Sequence, residues 1–430
     1  MAMPRRFNIL SMSVIAVLFI SACLSTNLPP IGSMGSFTPE DDELQLWHAL
    51  RQVEERVLAP KMVFDDPALE QYLTEIVRRV TPLSYTAAGG QPIQVKVRKD
   101  PRLNAAAMAH GLIIVYTGLI SRAENESQLA GVLAHEVSHI THRHQVRELR
   151  ELKNKQTAFN VIAFLGSLAL AAAAVNSDFD TVQVIRHIEP LLALGLKLTY
   201  SAMVSGYSRD IESEADQEAV KIMVSTGYSP LELAQMFRHT LSESAERGPI
   251  ENFFWGSHPK ISERIETVEQ EAKKYSINDR TDKVAFERRT AFVRLDNARF
   301  DAYFGRWHLA MTQVERVLET VPMSRRAPLE TLWKAHLYNS ASIGARSRGD
   351  KQEAERNFTI AVDLYNRVTS ASNKTNQAAA YRRLGDIYFA YRDHKATHCE
   401  AKSAYAKYLE LQPAAKDTAD INARMAQLRC

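Results

Sequence analysis

The chain has 430 residues, 45% of them hydrophobic and 24% charged, with a formal net charge of +3. That length supplies more than one hydrophobic core, and a near-balanced charge with dispersed basic residues argues against a nucleic-acid surface. Besides Cys23 the only cysteines are Cys399 and Cys430. Cys430 is the last residue, where chain ends fray, so no structural bridge is expected.

The N-terminus places Arg5 and Arg6 before the apolar run NILSMSVIAVLFISAC. This is the pattern of a secretory signal, too short for a membrane span. Ile20-Ser21-Ala22-Cys23 resembles the bacterial lipobox, so residues 1–22 are expected to be removed and Cys23 lipidated. An ordinary signal peptide with an incidental Cys is the alternative. With Leu24 rather than Asp after Cys23, the expected location is the periplasm, with a lipid anchor in the outer membrane. Residues 23–42 are polar and rich in Pro, Gly and Ser, and read as a tether.

Helices are expected over Glu43–Val57 and Pro67–Val80. IQVKVRKD (93–100) alternates as a strand does, and GLIIVYTGLI (111–120) reads as a second strand. A helix then starts near Asn125, a capping residue with Gln128 three positions on. Two apolar segments follow, 157–175 and 188–206. Both contain polar residues, so buried or interfacial helices are expected rather than membrane spans. From about Arg280 the composition turns to Ala, Tyr, Arg and charged residues without strand signals, as in a helical array. Within 381–413, Leu384, Gly385 and Tyr388 match the first helix of a tetratricopeptide repeat, and Ala401, Tyr405, Tyr408 and Pro413 fit the second. The stretches 303–322 and 349–368 are candidate further units, stacked because none buries its apolar face alone. A plain helical bundle is the alternative.

The helix from Asn125 carries LAHEVSHITHRH (133–144). His135 and His139 lie one turn apart on one face, where two imidazoles can grip one ion. Glu136 between them completes H-E-x-x-H, in which the Glu serves as general base. His142 lies about 10 Å along the axis from His135, too far to share the ion, and His144 points to the opposite side, so both read as solvated or hydrogen-bonding helix residues. The metzincin pattern requires Gly and His where this chain has His142 and Gln145, so that class fails. A third ligand must come from elsewhere. Glu212 and Asp216, also one turn apart, fit a gluzincin site: Glu212 completes the ligand set and Asp216 accepts the other N–H of a ligand histidine. Asp210 and Glu214 point to the far side of that helix. A solvated acidic helix face is the other reading of this stretch.

NAAAMAHGLIIVYTGLI, LAGVLAHEVSHITHRH, SRDIESEAD and SHPKISERI together resemble the successive motifs of the HtpX and CAAX prenyl endopeptidase family of zinc metallopeptidases, over about Leu46–Lys274. The lipobox and helical tail make the chain most similar to the family's bacterial periplasmic lipoprotein branch. It departs from the family pattern at Ala106 and at His110 before Gly111. The resemblance implies one Zn2+ held by His135, His139 and Glu212. It implies a substrate strand edge after Asn104, with Asn104 and Gly111 on the substrate side. It also implies a role for His258, either toward the oxyanion or as a latch on the metal, with Arg264 stabilising negative charge.

The expected fold is α+β. A mostly helical gluzincin-type metallopeptidase domain with a small sheet (43–278) precedes an all-α tetratricopeptide-like domain (279–430). The expected function is zinc-dependent cleavage of unfolded or misassembled envelope proteins, with the repeats meeting outer-membrane assembly machinery and a lipid anchor meeting the membrane. An adaptor or chaperone with a silent or latched metal site is the second reading. An integral-membrane prenyl-protein protease is a third, and it requires both apolar segments to span the bilayer.

Overall fold

The computed structural model describes residues 25–154, 207–247, 261–276, 283–370, 373–391 and 396–430. Cys23, His258 and the apolar segments 157–175 and 188–206 lie outside them. Among the described residues no helix is long and apolar enough to cross a membrane.

The stretch from residue 25 to α1 (Asp41–Val57), expected as a tether, docks on the body. Leu28 and Ile31 are buried, and Ile31 N–H donates to Thr141 C=O at 2.8 Å. Arg150 Nη1 donates to Ser25 C=O at 3.1 Å. The sequence pattern misses this because a few apolar residues among polar ones suffice when a complementary surface is present.

The helix α2 (Pro67–Val80) starts at Asp66, whose carboxylate accepts from Leu69 N–H, with Pro67 at the first helical position. After the short α3 (Leu83–Ala87) come three strands, β1 (Gln94–Arg98), β2 (Ala105–Met108) and β3 (Leu112–Tyr116). Their order is β1-β3-β2, with β1 parallel and β2 antiparallel to β3. The run 111–120 is thus not one strand: it turns after Tyr116 into α4 (Thr117–Arg122). Gly118 marks the reason, because a Cβ there would sit 2.3 Å from the Pro101 and Arg102 carbonyl oxygens. Only Gly lets that backbone approach.

Next come α5 (Glu126–Thr141), α6 (His144–Asn154), α7 (Arg209–Ser225), α8 (Leu231–Arg247) and α9 (Ile261–Ala272). The sheet, α2, α5, α7, α8 and α9 share one apolar core. Every side chain of α5 is buried, so the helix is held from all sides rather than along one stripe.

The remaining elements are all helical: α10 (Lys283–Tyr303), α11 (Trp307–Glu319), α12 (Met323–Ser347), α13 (Lys351–Thr369), α14 (Lys374–Ala390), α15 (Ala396–Leu411) and α16 (Thr418–Ala426). The first of them enters the core just described: Phe286 and Val293 of α10 are fully buried in it. The joint is also polar. Buried Arg122 pairs with Glu243 and Asp301, both at 2.6 Å, and Arg294 donates to the Ser121 and Ala123 carbonyls at 2.5 and 2.6 Å. Further along, a Cβ on Gly385 would lie 2.3 Å from the Tyr405 ring, so this glycine lets α15 close onto α14. Cys399 and Cys430 are exposed free thiols.

Candidate active site

The site is built on α5, and its N-terminus is fixed first. Asn125 Oδ1 accepts from Gln128 N–H at 2.9 Å, and Gln128 Oε1 accepts from Glu124 N–H at 2.8 Å. Glu126 in the first turn, where a negative charge suits the helix dipole, accepts from Tyr72 (2.6 Å), Tyr228 (2.7 Å) and Arg79 (3.0 Å). Gly131, one turn before His135, leaves room for the neighbouring helices: a Cβ there would meet Leu233 at 2.9 Å and Met223 Sδ at 3.1 Å. Met223 belongs to α7, so this close approach sets α7, and Glu212 with it, against α5.

At the crossing, one atom each of His135, His139 and Glu212 converge within 4.8 Å of one another, all in buried side chains. His135 Nε2 and His139 Nε2 are 3.0 Å apart. Glu212 Oε2 lies 3.5 Å from His135 Nε2, and Glu212 Oε1 lies 3.6 Å from His139 Nε2. Three donors bound tetrahedrally to one ion at ~2.0–2.2 Å stand about 3.4 Å apart. The donor set and its spacing therefore fit a small divalent metal ion. Glu136 is 1% exposed, on the same helix between the two histidines.

Each histidine's second nitrogen is engaged. His135 Nδ1 lies 2.9 Å from Asp216 Oδ1. Burial and the Arg264 guanidinium push the His135 imidazole down, but the Asp216 and Glu212 carboxylates outweigh them and hold it up at about 9. Burial pushes the Asp216 carboxyl up, and Arg264 and His135 bring it below its ordinary value.

Arg264 differs from expectation. It is 3% exposed, and its Nε and Nη2 bind Asp216 at 2.9 and 2.7 Å while Nη1 reaches Glu212 Oε2 at 3.2 Å. The guanidinium lies over the Phe237 ring at 4.2 Å. It neutralises the Glu212 and Asp216 carboxylates that flank His135. A residue at the start of a short helix gave no sign of this in sequence, since its partners lie 48 and 52 positions earlier, at Asp216 and Glu212.

His144 is the second correction. It does not point away: its Nδ1 is 2.9 Å from His139 Nδ1, and the side chain is fully buried. Extrapolation along one straight helix fails because α5 ends at Thr141. Arg143, at φ 57, is the sole positive-φ residue other than glycine among the described residues. A left-handed non-glycine conformation costs on the order of 1–2 kcal/mol. The Arg143 side chain offsets that by pairing with buried Glu43 at 2.6 and 2.8 Å. Glu214, also expected on the far side, lies 3.5 Å from His144 Nε2 and 2.7 Å from Arg147. Burial depresses His144 to about 4, so its ring is neutral at ordinary pH. A neutral ring whose Nε2–H faces Glu214 leaves Nδ1 to accept from His139 Nδ1–H, which frees His139 Nε2 for the ion.

Tyr207 had no assigned role. Its ring stacks on His139 with centroids 4.0 Å apart and planes 14° apart. Burial and then the Glu148, Glu136 and Glu212 carboxylates push its phenol well above the ordinary value, so it keeps its proton. An aromatic just before a capping Ser208 was the available signal. His142 caps α5 and contacts the Ser138 carbonyl at 3.2 Å, away from the ligands.

Asn104 and Gly111 are occupied within the sheet. The Asn104 carbonyl accepts from Tyr116 N–H at 3.0 Å and the Gly111 carbonyl from Gln94 N–H at 2.7 Å. Gly111 has φ 94 and a Cβ there would meet the Pro92 carbonyl at 2.7 Å, so it serves the turn. On the side of β2 away from β3, Gln145 donates to the Ala107 carbonyl at 2.8 Å and accepts from Ala109 N–H at 2.6 Å, and Ala105 and Ala107 are buried.

Comparison with known proteins agrees with this geometry. Residues 67–272 match the model of peptidase family M48. The chain is 27% identical to the beta-barrel assembly-enhancing protease of Escherichia coli (strain K12) over half of this chain (50%) and 41% of that protein. It is 30% identical to the metalloprotease YcaL of the same strain, over 42% of this chain and 62% of that protein. It is 27% identical to a protease HtpX homolog of Bacillus subtilis (strain 168), over 56% of this chain and 82% of that protein. The chain thus spans less than half the length of the assembly-enhancing relative. The matched span contains α2 through α9 and all of His135, Glu136, His139, Glu212, Asp216 and Arg264. Residues 67–272 of this chain are a peptidase family M48 domain.

Proposed function

We propose that this chain is a zinc endopeptidase that cleaves misfolded or unassembled proteins of the bacterial envelope. The observation that carries the reading is the convergence of His135, His139 and Glu212 within 4.8 Å beside buried Glu136. Two imidazoles and one carboxylate suit zinc with a position left open for chemistry. A zinc ion held there supplies Lewis acidity that activates water and polarises the scissile carbonyl. Glu136 accepts the proton of the attacking water and returns it to the leaving amine. Asp216 and Arg264 orient His135, and His144 with Glu214 orients His139. Tyr207 covers the His139 ring and keeps water from it.

The periplasmic setting, the Cys23 anchor and a role for His258, toward the oxyanion or as a latch on the metal, belong to the same proposal. So does the role of α10–α16 as a tetratricopeptide-like surface for substrates or assembly machinery. The resemblance to a beta-barrel assembly-enhancing protease supports the choice of envelope substrates.

The test is cleavage of an unfolded outer-membrane β-barrel protein by the purified, unlipidated chain. Zinc-loaded protein is expected to cleave, chelation to stop cleavage, and added zinc to restore it. Prevention of aggregation without cleavage in any of these states would favour the adaptor reading. His144→Ala is expected to weaken zinc binding by about 10–100-fold, as loss of an orienting partner does. Competition with a chromophoric chelator measures this, and unchanged affinity would remove His144 from the site.

A further inference from the structure

A cavity of about 120 Å³ lies between α10, α12 and α14, lined by Phe292, Asp296, Arg299, Trp333, His336 and Arg383. That is room for one end of a ligand, since whole-ligand pockets run to roughly 300–1,000 Å³. Each arginine has one carboxylate nearby, at a distance long for a charged hydrogen bond. Arg299 Nη1 reaches Asp296 at 3.4 Å, and Arg383 Nη1 reaches Asp386 at 3.3 Å. Asp386 is already shared with Arg382, Arg424 and Tyr405. Among the described residues neither guanidinium makes another hydrogen bond or ion pair, so most of both N–H forks are left for a ligand. The two also act on each other. Burial and then Arg383 hold Arg299 below its ordinary value, which Asp296 offsets only in part. Burial and the same two arginines hold His336 well below its ordinary value, so its ring is neutral. Burial pushes the Tyr365 phenol up, so it keeps its proton and donates to His336 Nδ1 at 2.7 Å, which leaves the ring N–H on Nε2. Like charges held beside a cavity are stabilised by an anion between them. The other walls are the rings of Trp333 and of Phe292, which is 58% exposed. A phosphate would leave those rings unused, whereas a carboxylate carried on an apolar residue uses both kinds of wall.

We propose that this cavity binds the C-terminal carboxylate of a polypeptide whose last side chain is apolar. The carboxylate spans Arg299 and Arg383, and the last side chain lies against Trp333 and Phe292. This rests on the reading of α10–α16 as a surface for proteins and gives that surface a ligand. The metal site takes no part in it. Phe292 also touches Phe64 of the peptidase core, with ring centroids 5.5 Å apart, so a chain held here leaves from the joint between the two parts of the molecule.

The experiment is fluorescence anisotropy of short, N-terminally labelled peptides with the unlipidated full chain. The peptides end in Leu or Gly, each as the free acid and as the amide. The Leu acid is expected to bind roughly 10–100-fold tighter than its amide, and several-fold tighter than the Gly acid. Arg299→Gln and Arg383→Gln are each expected to remove most of the preference for acid over amide. Phe292→Ser, at an exposed position, is expected to remove the preference for Leu over Gly and to keep that for the acid. Equal binding of acid and amide overturns the proposal, as does an acid preference that survives both arginine substitutions. An amidated peptide ending in Glu that binds as tightly as the Leu acid also overturns it. So does inorganic phosphate that displaces the Leu acid as well as unlabelled peptide does at the same concentration, which would make this a general anion site. If an arginine variant does not fold, Phe292→Ser still decides, because an unchanged preference for Leu places the peptide elsewhere. Cleavage by zinc-loaded protein without any acid preference sinks this site and leaves the peptidase reading intact, and an acid preference without cleavage does the reverse.

Discussion

Glu136→Gln is expected to lower peptide-bond hydrolysis by roughly 10²–10⁴-fold while zinc content and melting temperature stay at wild-type values. The substitution keeps the side chain's size and removes its basicity. Glu136 is buried at 1% exposure, and burial raises the influence of a proton-transferring group on a neighbouring reacting centre. It is not one of the three converging donors, so the ion is expected to stay bound. Activity within tenfold of wild type would mean that another group takes the proton.

Arg264→Leu is expected to destabilise the fold by about 3–5 kcal/mol, because it leaves carboxylates without their buried counter-charge. Asp216 is fully buried and Glu212 is 2% exposed, and both lie within 3.2 Å of the guanidinium. Urea denaturation measures the loss, and zinc-loaded protein is expected to recover part of it because the ion binds the folded state. A midpoint equal to wild type would contradict the role assigned to this pair.

Local signals were legible in the sequence wherever the chain continues regularly. Pro67 and Asp66 delimit α2, Asn125 caps α5, and the spacing of His135 with His139 and of Glu212 with Asp216 assigns each pair to one helical face. His144 was not legible, since its direction depends on Arg143 adopting φ 57. That conformation depends on Glu43, which is 100 positions away. Arg264 and Tyr207 act through partners on other elements, and no spacing within their own helix reports such contacts. The docked stretch after residue 25 and the entry of α10 into the peptidase core have the same cause. A composition shift near residue 280 marks a change in architecture, but it does not show that Phe286 and Val293 face back into the older core.

His135, His139 and Glu212 are expected to share one ion. Anomalous diffraction from crystals of the zinc-loaded protein, recorded on both sides of the zinc absorption edge, tests it directly. One edge-dependent peak is expected about 2.0–2.2 Å from His135 Nε2, His139 Nε2 and a Glu212 oxygen. A peak elsewhere, or none between these three side chains at full zinc loading, would contradict it.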